Sequence, residues 1–202
     1  MIYEPENVKG FEDYLPPQSQ KREKIKEIAK KYFKLYGFLP VETPLIEFDE
    51  LMRSDIIGEE DEAVRDRFRL KDRANRNLGL RYEFTFQLAR ILKLNPNIKL
   101  PFKKYQIGEN FRDEPIRTGR TRQFTQCDVD IIGDSSVNAD AECISVVFDI
   151  LKELNITNIE LQLNNRKLVD EIIKSVQIED KLSVLREIDK IEKIGEDEVK
   201  AN

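Results

Sequence analysis

The apolar positions along this chain change period several times, and each change marks an element. Ile25, Ile28, Ala29, Tyr32, Phe33 and Tyr36 recur at helical spacing and predict a long helix over Gln18–Tyr36. Pro16-Pro17 suit its start and Gly37 its stop. Phe38–Glu42 is short and apolar, and Pro44 breaks it. Arg65–Lys71 and Leu78–Tyr82 read as strands, and Thr85–Lys93 as a helix with Leu88, Ala89, Ile91 and Leu92 apolar.

Phe102–Arg112 and Arg122–Ile132 are the strongest strand candidates, joined by Asp113–Thr121 as an antiparallel hairpin with a mobile tip. On the second strand Thr125, Cys127, Val129 and Ile131 share one face, which reads as core. Phe124, Gln126, Asp128 and Asp130 share the other. An aromatic, an amide and two carboxylates are odd on a buried sheet face and natural in a ligand cleft. Asn138–Leu154 predicts a second long helix with Ala141, Ile144, Val147, Phe148 and Leu151 as its stripe. Ile159–Leu163 reads as a short strand, Arg166–Ser175 and Lys181–Ile191 as small helices, and Glu192–Asn202 as a charged tail without a core face. Helices and antiparallel strands mix without strict βαβ alternation, so the fold class is α+β.

Composition narrows the chemistry. The 202 residues are 40% apolar and 36% charged, which is the balance of a globular domain. Apolar runs are too short for a membrane span, and Met1–Gly10 lacks the apolar core of a secretory signal, so a cytoplasmic protein is expected. Two cysteines, Cys127 and Cys143, without metal-ligand spacing argue against a zinc site. With no histidine in the chain, Ser-His and Cys-His nucleophile arrangements are excluded, and chemistry has to rest on Arg, carboxylates, backbone groups or a bound metal ion. The net charge of -5 weakly opposes a nucleic-acid partner, although local patches can still bind one.

One patch is local and basic. Arg112, Arg117, Arg120 and Arg122 stand against Asp113 and Glu114 within eleven residues of an otherwise acidic chain. Arginine makes two-pronged contacts with phosphate oxygens, and Gly119 gives the loop room to bend around a ligand. A solvated hairpin tip would carry the same charges. Glu83 and Thr85 lie at a strand-to-helix junction, where side chains project into clefts; alone, they read equally as a first-turn acid and an N-cap. Glu83 and Asp130 facing one cleft would suit a small cationic ligand, and an ion-pair network is the alternative.

The order of these pieces narrows the choice. Gly10–Pro16 leads into a long helix, then come Gly37-Phe38 and Thr43-Pro44-Leu45-Ile46-Glu47, then Leu80–Thr85, then Phe111-Arg112-Asp113-Glu114 and Gly119–Asp130. This series resembles class II aminoacyl-tRNA synthetases, specifically histidine–tRNA ligases of the archaeal and eukaryotic kind, from about residue 8 onward. The resemblance implies an antiparallel sheet flanked by helices, and it implies roles. Pro44 is similar to the motif 1 proline of a homodimer interface. Arg112 matches the motif 2 arginine, which grips the α-phosphate of ATP and the substrate carboxylate. Glu114 is implied to meet the adenine amino group, Phe124 to stack on adenine, and Arg120 to reach the triphosphate. Glu83 and Thr85 would hold the ammonium of histidine, with Gln126 and Asp130 completing its pocket. Arg117 and Arg122 would contact the acceptor end of tRNA(His). Mg²⁺ would accompany ATP.

The chain also departs from that pattern. After Arg122 it has Arg166 and Arg186, and Gly133 and Gly195, and neither pair forms the glycine-rich motif 3 or the second histidine motif. Asn164–Asp170 resembles the start of the family's insertion region. The expectation is therefore a catalytic domain over residues 1–163 and the opening of an insertion over 164–202. The sheet would be incomplete at its C-terminal side, and motif 3 and the anticodon-binding domain would be missing. Such a chain is expected to be an expression fragment, a truncated product or half of a split enzyme, inactive alone and, if split, completed by a C-terminal segment in trans. The rival expectations are a non-catalytic histidine-binding relative, of the ATP phosphoribosyltransferase regulatory-subunit type, and a bare dimerisation or tRNA-binding module.

Overall fold

A computed structural model of the chain describes residues 4–52, 65–175 and 181–188, together with residues 191, 195, 198 and 199. It packs as two compact units, Met1–Thr157 and Asn158–Asn202.

The first unit holds two three-stranded sheets. In the larger, β1 (Leu39–Pro40), β5 (Phe102–Phe111) and β6 (Gln123–Ile132) lie in that order. β5 and β6 pair antiparallel over their full length, from Phe102 opposite Ile132 to Phe111 opposite Gln123. β1 runs parallel to β5, so the sheet is not wholly antiparallel. The smaller sheet orders β2 (Ile46–Phe48), β4 (Asn77–Leu80) and β3 (Arg69–Lys71), all antiparallel, with a 3-10 turn at Asp49–Met52.

Helix α1 spans Gln18–Leu35 and α3 spans Val137–Glu153. Both cover one face of the larger sheet. Their contact buries Ala29, Phe33, Phe38, Tyr105 and Val146, with Ile107, Val129, Ile131, Cys143 and Ile150 packed around them. Burying a large apolar side chain contributes roughly 1.5–3 kcal/mol, so this cluster is the main fastening of the unit. α1 stops at Gly37, whose N–H donates to the Lys34 carbonyl at 3.0 Å. Helix α2 (Thr85–Leu94) starts where β4 ends and buries Gln87 and Leu88.

Three sequence expectations change. The buried side of α3 is Ala139, Cys143, Val146 and Ile150, while Val147 of the expected stripe is exposed. Ile25 of α1 is exposed, and Cys127 lies outside the core although Val129 and Ile131 enter it. Arg65–Lys71 contributes only Arg69–Lys71 to a ladder, and Ile159–Leu163 forms none, because among the described residues no strand pairs with it.

The second unit contains α4 (Arg166–Ser175) and α5 (Lys181–Ile188). Asn165 caps α4, its Oδ1 accepting the N–H groups of Lys167 at 2.9 Å and Leu168 at 3.4 Å. Of the expected helix Lys181–Ile191, α5 covers Lys181–Ile188, and the remainder together with the charged tail lies largely outside the described residues.

Candidate functional site

Pairing alone builds a polar floor. The register sets Lys104 opposite Asp130, Gln106 opposite Asp128, Gly108 opposite Gln126 and Asn110 opposite Phe124. Side chains alternate faces along a strand, so these eight residues share the face turned away from α1 and α3. Lys104 and Asn110 are 1% and 0% exposed, so the floor is deep.

Each buried polar group there has a partner. The Lys104 ammonium meets the Asp130 carboxylate as an ion pair without the angle of a good hydrogen bond. Arg81, just past β4, is buried and donates from Nε to Asn110 Oδ1 at 2.8 Å, from Nη1 to the Thr43 carbonyl at 2.9 Å and from Nη2 to the Glu109 carbonyl at 2.6 Å. Asn110 Nδ2 donates in turn to Gln126 Oε1, and Gln126 Nε2 donates to Asp128 Oδ2 at 3.2 Å. Burial pushes the Asp128 carboxyl above the usual carboxylate range; Lys104 and the Gln126 hydrogen bond act against this, and Asp130 and Glu83 add to it. Glu83 and Asp130 thus lie within electrostatic reach of one carboxylate, which composition alone could not establish.

At the end of the floor the hairpin continues past its strands. The Arg112 N–H donates to the Arg122 carbonyl at 2.8 Å. Arg117 and Arg120 close the tip in a tight turn, with the Arg120 N–H on the Arg117 carbonyl at 2.9 Å and Gly119 at φ 76°. Arg112, Glu114, Arg120, Thr121 and Phe124 line a cleft of about 290 Å³ beside this loop.

The four arginines have different surroundings. Arg112 sits between two rings, its guanidinium carbon 4.5 Å from the Tyr82 centroid and 5.0 Å from that of Phe124. Among the described residues no carboxylate pairs with it and its buried Nε has no acceptor. Arg120 reaches Glu114 at 3.5 Å and is largely exposed. Arg117 is exposed at the tip. Arg122 is tied down: it pairs with Asp113 at 3.2 Å, its Nε donates to the Glu114 carbonyl at 3.3 Å, and its backbone N–H donates to the Gly10 carbonyl at 2.9 Å.

The structure therefore brings Arg112, Glu114, Arg120 and Phe124 into one cleft and sets Gln126 and Asp130 on the same strand face. Glu83 stands at the junction before α2. Thr85 is exposed and is the first residue of that helix; the N-cap position belongs to Phe84, whose side chain cannot accept a backbone N–H. Sequence reasoning missed Arg81, Lys104 and Asn110. The alternation that selected Phe124, Gln126 and Asp130 also runs through Lys104, Gln106 and Asn110 and could have found the last two.

The sequence model of one family, Histidyl-tRNA synthetase, matches residues 10–191. A Bacillus cereus protein named histidine–tRNA ligase 1 is 47% identical over 199 residues, covering 98% of this chain and 45% of its own length. A Shouchella clausii histidine–tRNA ligase 2 is 38% identical, covering 96% of this chain and 46% of its own. The chain thus spans about 45% of the length of these curated relatives. The crystal structure of histidyl-tRNA synthetase from a Nostoc species superposes with a TM-score of 0.83 at 27% identity, over 99% of this chain and 44% of that one. A Bacillus halodurans structure described as ATP phosphoribosyltransferase regulatory subunit/histidyl-tRNA synthetase has a TM-score of 0.78 at 22% identity, a likeness of fold alone.

Proposed function

The chain belongs to the histidyl-tRNA synthetase family, and from that premise we propose that it holds the ATP- and histidine-binding half of a histidine–tRNA ligase site. The supporting observation is Arg112, a cation set against Tyr82 and Phe124 and without a carboxylate partner among the described residues, at the mouth of a carboxylate- and amide-lined floor.

In this reading the reaction joins histidine to ATP and then passes the aminoacyl group to tRNA(His). The histidine carboxylate attacks the α-phosphate in line, forming histidyl-adenylate and releasing pyrophosphate. No proton has to leave the attacking carboxylate, so positioning and charge neutralisation do the work and the absence of a histidine base is no obstacle. Arg112 holds the α-phosphate and the carboxylate together. Adenine lies against Phe124 with its amino group at Glu114, and Arg120 swings from Glu114 to the β- and γ-phosphates. Mg²⁺ enters as part of the nucleotide substrate. Glu83 and Thr85 receive the histidine ammonium, Gln126 completes the histidine pocket, and Asp130, steadied by Lys104, accepts an imidazole N–H. Arg117 is the better placed of the two loop arginines to meet tRNA, since Arg122 is engaged with Asp113, Glu114 and Gly10.

The catalytic portion is residues 1–163, and 164–202 open an insertion. The protein works in the cytoplasm as a class II homodimer. Leu39, Leu45, Ile46 and Phe48 support the dimer, being 47–59% exposed around the motif 1 proline. Equilibrium titration with ATP tests the assignment: Arg112→Ala should lower affinity by about tenfold or more, the scale of a lost charge-assisted contact. Unchanged affinity would refute it.

A further inference from the structure

The floor contains a hydrogen-bond chain whose direction is forced at both ends. Arg81 can only donate, and it donates to Asn110 Oδ1 at 2.8 Å. An ionised Asp128 can only accept, and it accepts from Gln126 Nε2 at 3.2 Å. Between them, Asn110 Nδ2 donates to Gln126 Oε1. Two amides, each free in isolation to exchange its oxygen and nitrogen, are thereby locked in one sense. Arg81 cannot turn away, because Thr43 and Glu109 accept its remaining donors. Asn110 is fully buried, so no water replaces its links.

We propose that Asp128 is a positioning residue for the amino-acid ligand: by accepting from Gln126 Nε2 it pins the plane of a carboxamide whose sense Asn110 already sets, and so sets amino-acid affinity without touching the ligand. This rests on the functional reading above, in which Gln126 lines the histidine pocket. With the relay intact, Gln126 keeps one lone pair and one N–H in fixed directions for the ligand. When Asp128 is protonated or made an amide, the charge that strengthens its hold on Gln126 Nε2 is lost; Asn110 still sets the sense of Gln126, but the carboxamide is held less firmly. Lys104 and Gln106 face Asp128 from β5, Asp130 from β6, and Glu83 from the segment before α2. Burial, with smaller contributions from the two neighbouring carboxylates, raises the Asp128 carboxyl above the usual carboxylate range, and Lys104 opposes the shift.

The test is calorimetric titration of the chain with histidine and, separately, with ATP, for the wild type, Asp128→Asn and Asp128→Ser, from neutral to mildly acid pH. Near-UV circular dichroism confirms that each variant is folded. At neutral pH both variants should lose about tenfold in histidine affinity, with ATP affinity moving less than about twofold. The ionised form of Asp128 is lost as pH falls, so the gap between wild type and Asp128→Asn should close toward acid pH. Protonation of the histidine ligand is common to both proteins and cancels in that ratio. A gap that stays constant with pH, equal losses for histidine and ATP, or no loss overturns the role of Asp128. Failure of the unsubstituted chain to bind histidine instead overturns the functional reading on which it rests.

Discussion

At Arg112 the neighbours are aromatic rings, which favour the cation through their negative faces without neutralising it. A carboxylate in the place of either ring would hold the guanidinium as firmly but would compete with phosphate. Phe124 serves twice in this arrangement, since it meets Arg112 and also lines the cleft proposed to take the nucleotide. Phe124→Ala should weaken ATP binding by roughly 1–3 kcal/mol, the usual worth of an aromatic under a base, and leave histidine binding nearly unchanged. Competition between ATP and a fluorescent nucleotide would measure it. Asp130→Asn should show the converse pattern, costing about 1–3 kcal/mol in histidine binding with little effect on ATP. Equal losses for the two ligands would show that the Lys104–Asp130 pair is only a structural tie. A third residue pair carries stability. Arg67 and Asp49 have side chains 0% and 3% exposed and meet through two contacts, at 2.5 and 3.1 Å. Arg67→Met would take the buried guanidinium away from the Asp49 carboxylate and should cost about 3–5 kcal/mol in urea unfolding.

Among the elements, the segment before α1 does more than lead into it. The Gly10 carbonyl accepts the N–H groups of Arg122 and Gln123, at 2.9 and 3.3 Å, just where the loop returns to β6. Phe11 packs on Phe68 and Phe111. Gly10 has φ 86°, and a Cβ there would lie 2.7 Å from the Arg122 side chain. Gly10→Ala should therefore cost about 1–2 kcal/mol in stability for the left-handed backbone. It should also loosen the loop, weakening ATP more than histidine; equal or absent effects on the two ligands would free the loop from this segment. Much of the element plan was legible beforehand, because α1 and the β5–β6 hairpin have strong periods of their own. The face of α3 was not. Its sequence carries two apolar stripes, Ala139, Cys143, Val146, Ile150 and Ala141, Ile144, Val147, Phe148, Leu151, and only packing against β5 and β6 chooses between them. Nor could Ile159–Leu163 be excluded as a strand, since a ladder needs a partner that local pattern does not supply. In the site, Phe124, Gln126 and Asp130 followed from alternation on one strand. Lys104 and Asn110 became partners only once the register was known, and Arg81 only once the smaller sheet was placed beside the larger.

For the molecule as a whole, the exposed apolar side chains around Pro44 belong to β1, β2 and their connection. Sedimentation equilibrium should show a dimer at tens of micromolar, and Phe48→Glu should shift it toward monomer; a monomer throughout would remove this surface from the account. The central claim is that one cleft holds nucleotide and histidine together, joined at Arg112. Titration with a non-hydrolysable histidyl-adenylate measures that claim directly, because the ligand carries both halves at once. The account predicts saturable binding, stronger than to the alanyl counterpart by about hundredfold, since an unfilled polar pocket costs roughly 1–3 kcal/mol for each unpaired group. It predicts losses in Phe124→Ala and Asp130→Asn, and the largest loss in Arg112→Ala. Equal affinity for the histidyl and alanyl ligands, or binding that survives Arg112→Ala unchanged, would contradict it.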